Sequence, residues 1–385
     1  MRPPHLLLLS VSAGAGHVRA AQAIEAAAAG RPSPVRVTHL DVLELVPASF
    51  RKLYSESYIE LVERLPLLWA YLYQRTDRRA ERSVFDRLRR GVERLNTRNL
   101  WDEIEHIAPD AIVCTHFLPA ELLARRIKRG IATPPVWVQV TDFDVHGLWM
   151  QAGLQGYFVA NDEVAWRLAD RGMARERIRV TGIPVMPRFA EPLDRSVCAE
   201  ELGLDPRRFT VVMMAGGGGV GSLDTLAERA LALPHDLQVV ALAGRNQELL
   251  QRLEQLKQRH PGQLFPLGFT RTVERVMSCA DLVVTKPGGL STSECLAKGL
   301  PMLLVSPIPG QEERNADYLL EAGAAQIALD TASFEFKLDR LLREREQLGR
   351  MAAHAVRIAR PRAAHEVLDH VVHALSLSHA PTLSA

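Results

Sequence analysis

Several short stretches of the sequence hold residue types that can handle a phosphate, a sugar hydroxyl and a proton. Lys286-Pro287-Gly288-Gly289-Leu290-Ser291-Thr292-Ser293-Glu294 directly follows the apolar run Leu282 to Thr285. Paired glycines let the backbone come close to a ligand, and a helix starting there aims amide donors and its positive dipole end at it, which suits a diphosphate. Glu294 stands three residues after Ser291. It reads either as the second half of a capping box or as a carboxylate that accepts two ribose hydroxyls. Downstream, Pro307-Ile308-Pro309-Gly310 leads into Gln311, Glu312 and Asn315 at the start of another helix. Polar groups that donate and accept at one place are what a polyhydroxylated sugar needs. In the first half, Gly14-Ala15-Gly16-His17 puts an imidazole in a glycine turn, and Asp142 follows the run Val136 to Val140, with His146 close by. An alcohol becomes a nucleophile only if a base takes its proton. His17 and Asp142 both qualify, and the sequence leaves the choice open.

Such groups need strands and helices to hold them. Leu6 to Ser12 reads as a strand, the glycine turn follows, and the Ala-rich stretch to Ala29 reads as a helix closed by Gly30: the opening of a nucleotide-binding βαβ unit. The order recurs with Thr210 to Ala215 as strand, Gly216-Gly217-Gly218-Gly219-Val220-Gly221 as turn and Ser222 to Leu233 as helix. Further strands are expected at 35–38, 111–115, 136–140, 156–159 and 178–181, then at 238–243, 263–266, 282–285, 302–305 and 325–328. Short buried strands alternating with helices argue parallel sheets, so the fold class is α/β with two Rossmann-like domains. Pro184, Pro187 and Pro192 mark a linker. The expected divisions are residues 1–190, 191–355 and a C-terminal helix and tail, 356–385, that packs back on the first domain.

The 385 residues carry 47 basic and 45 acidic side chains, a net of +2, which excludes a polycation built for nucleic acid. Cys114, Cys198, Cys279 and Cys295 form no zinc-site spacing and read as buried thiols in a reducing compartment. No run reaches the roughly 20 apolar residues that a membrane span requires. One region breaks the rhythm. Residues 53–73 hold Tyr54, Tyr58, Trp69, Tyr71 and Tyr73, and residues 74–99 hold nine arginines, among them Arg78, Arg79, Arg89 and Arg90, against four acids, a local net of +5. Aromatic apolar surface beside arginines suits an interfacial helix on anionic lipid; two core-facing helices with solvated arginines are the plainer alternative.

Together these motifs resemble the monogalactosyldiacylglycerol synthase and processive diacylglycerol beta-glucosyltransferase family of glycosyltransferase family 28. The resemblance rests on Gly14-Ala15-Gly16-His17 with Ala20 and Ala21, on Asp41 and the Tyr-rich stretch, and on Val140-Thr141-Asp142-Phe143 with His146 and Trp149. It continues through Thr181-Gly182-Ile183-Pro184-Val185, Gly244-Arg245-Asn246, Lys286 to Leu290 with Glu294, and Pro309-Gly310-Gln311-Glu312 with Asn315. It implies a GT-B fold, two Rossmann-like domains facing across a cleft, with diacylglycerol held by the N-terminal domain and a UDP-sugar by the C-terminal one.

The resemblance further implies inverting transfer of galactose or glucose from the UDP-sugar to diacylglycerol, processive or not, with no metal and no cofactor. Asp142-Phe143-Asp144 is an Asp-x-Asp triplet, but it lies in the acceptor half. His17 and Asp142 are the implied catalytic residues. Gly216, Gly217, Gly218, Arg245, Phe269, Thr270, Gly288, Gly289, Leu290, Glu294, Gln311, Glu312 and Asn315 are the implied donor site. Arg245 pairs with phosphate, contacts the base, or is only a surface arginine. Gly16, His146, Tyr54, Tyr58, Trp69 and the four named arginines fall to acceptor and membrane, with the protein at the cytoplasmic face as a peripheral enzyme. Two departures stand out: Ala15 replaces a glycine common in relatives, and Gly219 stands where several have Glu. The competing readings are a lipid II-type UDP-N-acetylglucosamine transferase and a non-catalytic UDP-sugar sensor. A dehydrogenase is disfavoured because His17 stands where its fingerprint continues to a third glycine.

Overall fold

The computed structural model describes residues 2–12, 14–46, 98–214 and 223–378. The chain divides into two compact units: residues 1–187 with 309–311 and 362–385, and residues 188–308 with 312–361.

In the first unit the chain runs β1 (His5–Ser10), α1 (Ala15–Ala29), β2 (Arg36–Asp41), α2 (Arg98–Ile107), β3 (Ala111–Cys114) and α3 (Phe117–Lys128). It continues with β4 (Val136–Gln139), β5 (Gly156–Val159), α4 (Asp162–Asp170) and β6 (Ile178–Val180). The strands form one parallel sheet in the order β2-β1-β3-β4-β5-β6. Its two faces are written in alternate residues. Leu7, Leu9, Ile112, Val136 and Val138 join one core cluster, while Leu6, Leu8, Ala111, Val113, Trp137 and Phe158 join another with Ala21 and Ile24 of α1.

The second unit runs α5 (Arg195–Leu202), β7 (Phe209–Met214), α6 (Leu223–Leu231), β8 (Leu237–Gly244), α7 (Gln247–Arg259), β9 (Leu264–Gly268) and α8 (Val273–Ser278). Then come β10 (Leu282–Thr285), α9 (Gly289–Ala297), β11 (Met302–Val305), α10 (Gln311–Glu321), β12 (Ala325–Ala328), α11 (Thr331–Arg343) and α12 (Arg345–Ile358). The parallel order is β12-β11-β10-β7-β8-β9. The last helix, α13 (Ala363–Ser378), groups with the first unit, where Val367, Leu368, Val371 and Leu375 bury against the β1/β3/β5 face. All four cysteines are free and buried.

In each sheet the chain builds outward from its first strand and then crosses to that strand's other side. The strand order therefore reverses between β1 and β3 and again between β7 and β10. Connections diverge at such a point and leave a crevice outside the strands' carboxyl ends, where α/β sheets hold ligands.

Candidate functional site

The β1/β3 switch holds His17. Gly14 adopts φ +107°, which only glycine takes without strain, so the chain turns sharply and starts α1 with His17 in its first turn. Ala15 is the first residue of α1 and has no positive φ, so the family's missing glycine costs nothing there. His17 Nδ1 lies 2.9 Å from the Thr115 carbonyl oxygen at the exit of β3 and 2.9 Å from Thr141 Oγ1 beyond β4. Thr115 Oγ1 donates to the His17 carbonyl at 2.9 Å. A carbonyl can only accept, so Nδ1 carries the proton and Nε2 keeps its lone pair. Burial pushes the imidazole down to about 4, against which the Thr115 carbonyl acts as a small upward pull, so the ring is neutral at pH 7. Gly16 sits beside it in the same helical turn.

Asp142 follows Thr141 directly and is buried. Gln311 groups with this first unit, and its Nε2 donates to Asp142 Oδ1 at 2.8 Å. His146 is also buried; its Nδ1 accepts the Leu148 amide at 3.2 Å, starting the short 3-10 turn Gly147–Trp149. Sequence reading missed His116. It is buried at the exit of β3 with its ring centroid 4.5 Å from that of His17, and Trp149 lies within 6.3 Å of both rings. It stands two residues past the end of β3, and no sequence pattern marks it out.

At the β7/β10 switch, Gly288 is the N-cap of α9 and no side chain caps that helix, so its first amides are left to a ligand or water. Thr292 Oγ1 and Ser293 Oγ instead donate back to the Gly288 and Gly289 carbonyls at 2.8 and 2.7 Å. Of the two readings of Glu294, the capping box with Ser291 does not form. The helix begins at Gly289, two residues before Ser291, so Ser291 lies inside it and Glu294 is a buried carboxylate further along α9. Leu290 lies in the first turn of the helix, which no side chain caps.

The neighbouring turn adjoins this one. Glu312 Oε2 accepts the Ile308 amide at 2.7 Å, and a methyl group placed on Gly288 would lie 3.7 Å from Glu312 Oε1. Asn315 is fully buried one turn into α10. Ser306 leaves β11 with φ +46°, a conformation that strains a non-glycine residue and directs the chain into Pro307–Gly310. Across the sheet, the Arg245 guanidinium lies 4.8 Å above the ring of Phe269, which is 58% exposed. Thr270 Oγ1 accepts the Thr272 amide at 3.1 Å. Gly216, Gly217 and Gly218, and Tyr54, Tyr58, Trp69, Arg78, Arg79, Arg89 and Arg90, lie outside the described residues.

Comparison with known proteins agrees with both halves. Residues 17–185 match the monogalactosyldiacylglycerol (MGDG) synthase model, and residues 214–367 match the glycosyltransferase family 28 C-terminal domain. The chain is 31% identical over 280 residues to a processive diacylglycerol beta-glucosyltransferase of Bacillus pumilus (strain SAFR-032), covering 72% of each chain. A Bacillus cereus (strain AH187) protein of the same name is 31% identical over 265 residues, 69% of this chain and 68% of that one. Among solved structures, Acinetobacter baumannii MurG aligns with a TM-score of 0.61 at 18% identity, covering 96% of this chain and 99% of that one. TcCGT1 in complex with UDP aligns with a TM-score of 0.63 at 13% identity, covering 98% and 100%. These likenesses, with the two parallel sheets, are those of the GT-B glycosyltransferase fold. The chain belongs to the monogalactosyldiacylglycerol synthase and processive diacylglycerol beta-glucosyltransferase family.

Proposed function

We propose that this protein is an inverting glycosyltransferase that moves a hexose, glucose by the name of its relatives, from a UDP-sugar to the hydroxyl of diacylglycerol. His17 is the base. The observation of this chain that carries the reading is a neutral imidazole, its Nδ1–H engaged by Thr115, with Nε2 unprotonated at the first switch point. As Nε2 takes the alcohol's proton, the oxygen attacks the anomeric carbon from the face opposite UDP. The bond from that carbon to the UDP oxygen breaks, and its electron pair leaves with the diphosphate. Asp142 accepts from Gln311, an arrangement that suits a carboxylate orienting substrate.

On the donor side, the first amides of α9 at Gly289 and Leu290 receive the charge that builds on UDP. Glu294 holds the ribose, while Glu312 and Asn315 face the sugar. The only Asp-x-Asp triplet near a motif lies in the acceptor half, which favours transfer without a bound metal. No helix among the described residues is long and apolar enough to cross a membrane, and a peripheral position on the cytoplasmic face, held in part by residues 53–99, fits a lipid acceptor.

The test incubates purified protein with anionic liposomes containing diacylglycerol and, in EDTA, UDP-glucose, UDP-galactose or UDP-N-acetylglucosamine. Glucolipid from the first donor is expected. Galactolipid instead would reassign the sugar, product only from the third would favour a lipid II-type transferase, and no product with intact UDP-sugar binding would leave a sensor.

A further inference from the structure

A second imidazole stands beside His17 at the β1/β3 switch. His116 is only 3% exposed, and its ring meets that of His17 edge-on at 85°. Its Nδ1 accepts the Leu118 amide at 3.1 Å, capping α3. A nitrogen that accepts from an amide carries no proton, so in the neutral ring the proton sits on Nε2. His17 is the opposite tautomer, with its proton on Nδ1 and a lone pair on Nε2. Burial, and the neighbouring His17 after it, hold the His116 pKa well below its ordinary value, so it stays the neutral tautomer.

Neither Nε2 has a hydrogen-bond partner among the described residues. Two further rings stand near His116, with the Phe117 centroid 4.1 Å and the Trp149 centroid 6.3 Å from its own. A ring N–H with no partner in the protein is a donor open to a ligand's oxygen or to water. Here the free donor and the free acceptor belong to rings whose centroids are 4.5 Å apart.

We propose that His116 is an acceptor-binding residue, whose Nε2–H donates to the same alcohol oxygen whose proton His17 Nε2 takes. The inference rests on the glycosyl-transfer reading above. A hydroxyl fits both rings at once, since it has one proton to give and lone pairs to receive with. The His116 bond fixes which lone pair is left to attack the anomeric carbon. Through the step His116 gives up no proton: the alcohol's proton ends on His17, and the new C–O bond is made with the oxygen's electron pair.

Two substitutions separate this role from helix capping. In His116→Asn the amide oxygen falls near the place of Nδ1 and still caps α3, while the outer N–H is gone. In His116→Gln the amide nitrogen falls near the place of Nε2, while the cap is lost. Expected for His116→Asn are a melting temperature close to wild type, unchanged UDP binding and about a 100-fold loss of transfer rate. His116→Gln should melt lower yet retain more transfer than His116→Asn. NMR of the ring nitrogens in the wild-type protein should show the His116 Nε2 resonance moving when a short-chain diacylglycerol is added. His116→Asn transferring at the wild-type rate, or an Nε2 resonance that the acceptor leaves in place, would overturn the proposal while leaving the transfer reading standing. Wild-type protein that makes no glycolipid from any donor would sink the transfer reading itself.

Discussion

The two sheets share one plan and place different groups at their switch points. Each is parallel, each reverses strand order beside its first strand, and each sends a glycine turn into a helix with no side-chain cap. At the β1/β3 switch the helix start presents His17, surrounded by His116 and Trp149, to which two threonines are the polar partners. At the β7/β10 switch it presents bare amides, hydroxyls turned back on the glycine carbonyls, and buried Glu294 and Asn315 nearby. Topology sets where a ligand can bind. On the proposed function, the side chains of the first helical turn then decide whether the place takes a proton or receives negative charge.

Breaking the first switch should have the largest effect. His17→Ala is expected to lower transfer by about 1,000-fold while UDP binding, measured calorimetrically, stays near wild type. Lost UDP binding would put His17 on the donor and erase the contrast between the two sheets. The acid limb of kcat/KM checks the same ring. With His17 held near 4, its base form persists well below the 6.5 of an ordinary histidine, so activity should not fall off as pH drops through 6.5 on its account. The sign for stability is the reverse of a salt-bridged histidine. The folded pKa lies below the unfolded one, so stability is full above about 6.5 and declines as pH falls from there towards 4.

Next in size comes the carboxylate of the second switch. If Glu294 holds the ribose, Glu294→Gln keeps shape and burial but weakens acceptance of two hydroxyls, so the KM for the UDP-sugar should rise about 10- to 100-fold with little change in melting temperature. A drop in kcat at unchanged KM would move Glu294 from ribose to reacting sugar.

Much of this was legible in the sequence, and the exceptions have physical causes. Leu282–Thr285, Met302–Val305 and Gly156–Val159 are strands at the expected bounds, because interior parallel strands are short apolar runs between breakers, and the edge strand Ala325–Ala328 also falls at its expected bounds. β2 runs three residues past its expected end, through His39-Leu40-Asp41, since an edge strand tolerates polar residues that break an apolar pattern. The glycine pair at Gly288 was legible, but where α9 begins was not, and the Ser291 capping box fell with it. His116 was invisible for another reason. Nothing in sequence spacing joins it to His17; only the pairing of β1 with β3 does.

A smaller effect is expected in the turn that aims His17. A Cβ added at Gly14 meets nothing within 4 Å, so Gly14→Ala is opposed by the backbone alone, through φ +107°. A cost of about 1–3 kcal/mol should lower the melting temperature by roughly 2–10 °C. If His17 is the base, transfer should fall more than donor binding does, because the turn then positions the base and not UDP.

The smallest effect tests how far the second switch extends across its sheet. Arg245 and Phe269 leave adjacent strands, β8 and β9, and stack in solvent, where such a pair contributes about 0.5–1 kcal/mol. If Arg245 touches only that ring, Arg245→Ala and Phe269→Ala should each change UDP binding by less than about 5-fold and do so alike. If its guanidinium meets a phosphate, Arg245→Ala should weaken binding well beyond Phe269→Ala, and the gap should close as salt is raised. Titrating both variants with UDP at low and high salt decides whether charge stabilisation belongs to the α9 amides alone or is shared with the strand that carries Arg245.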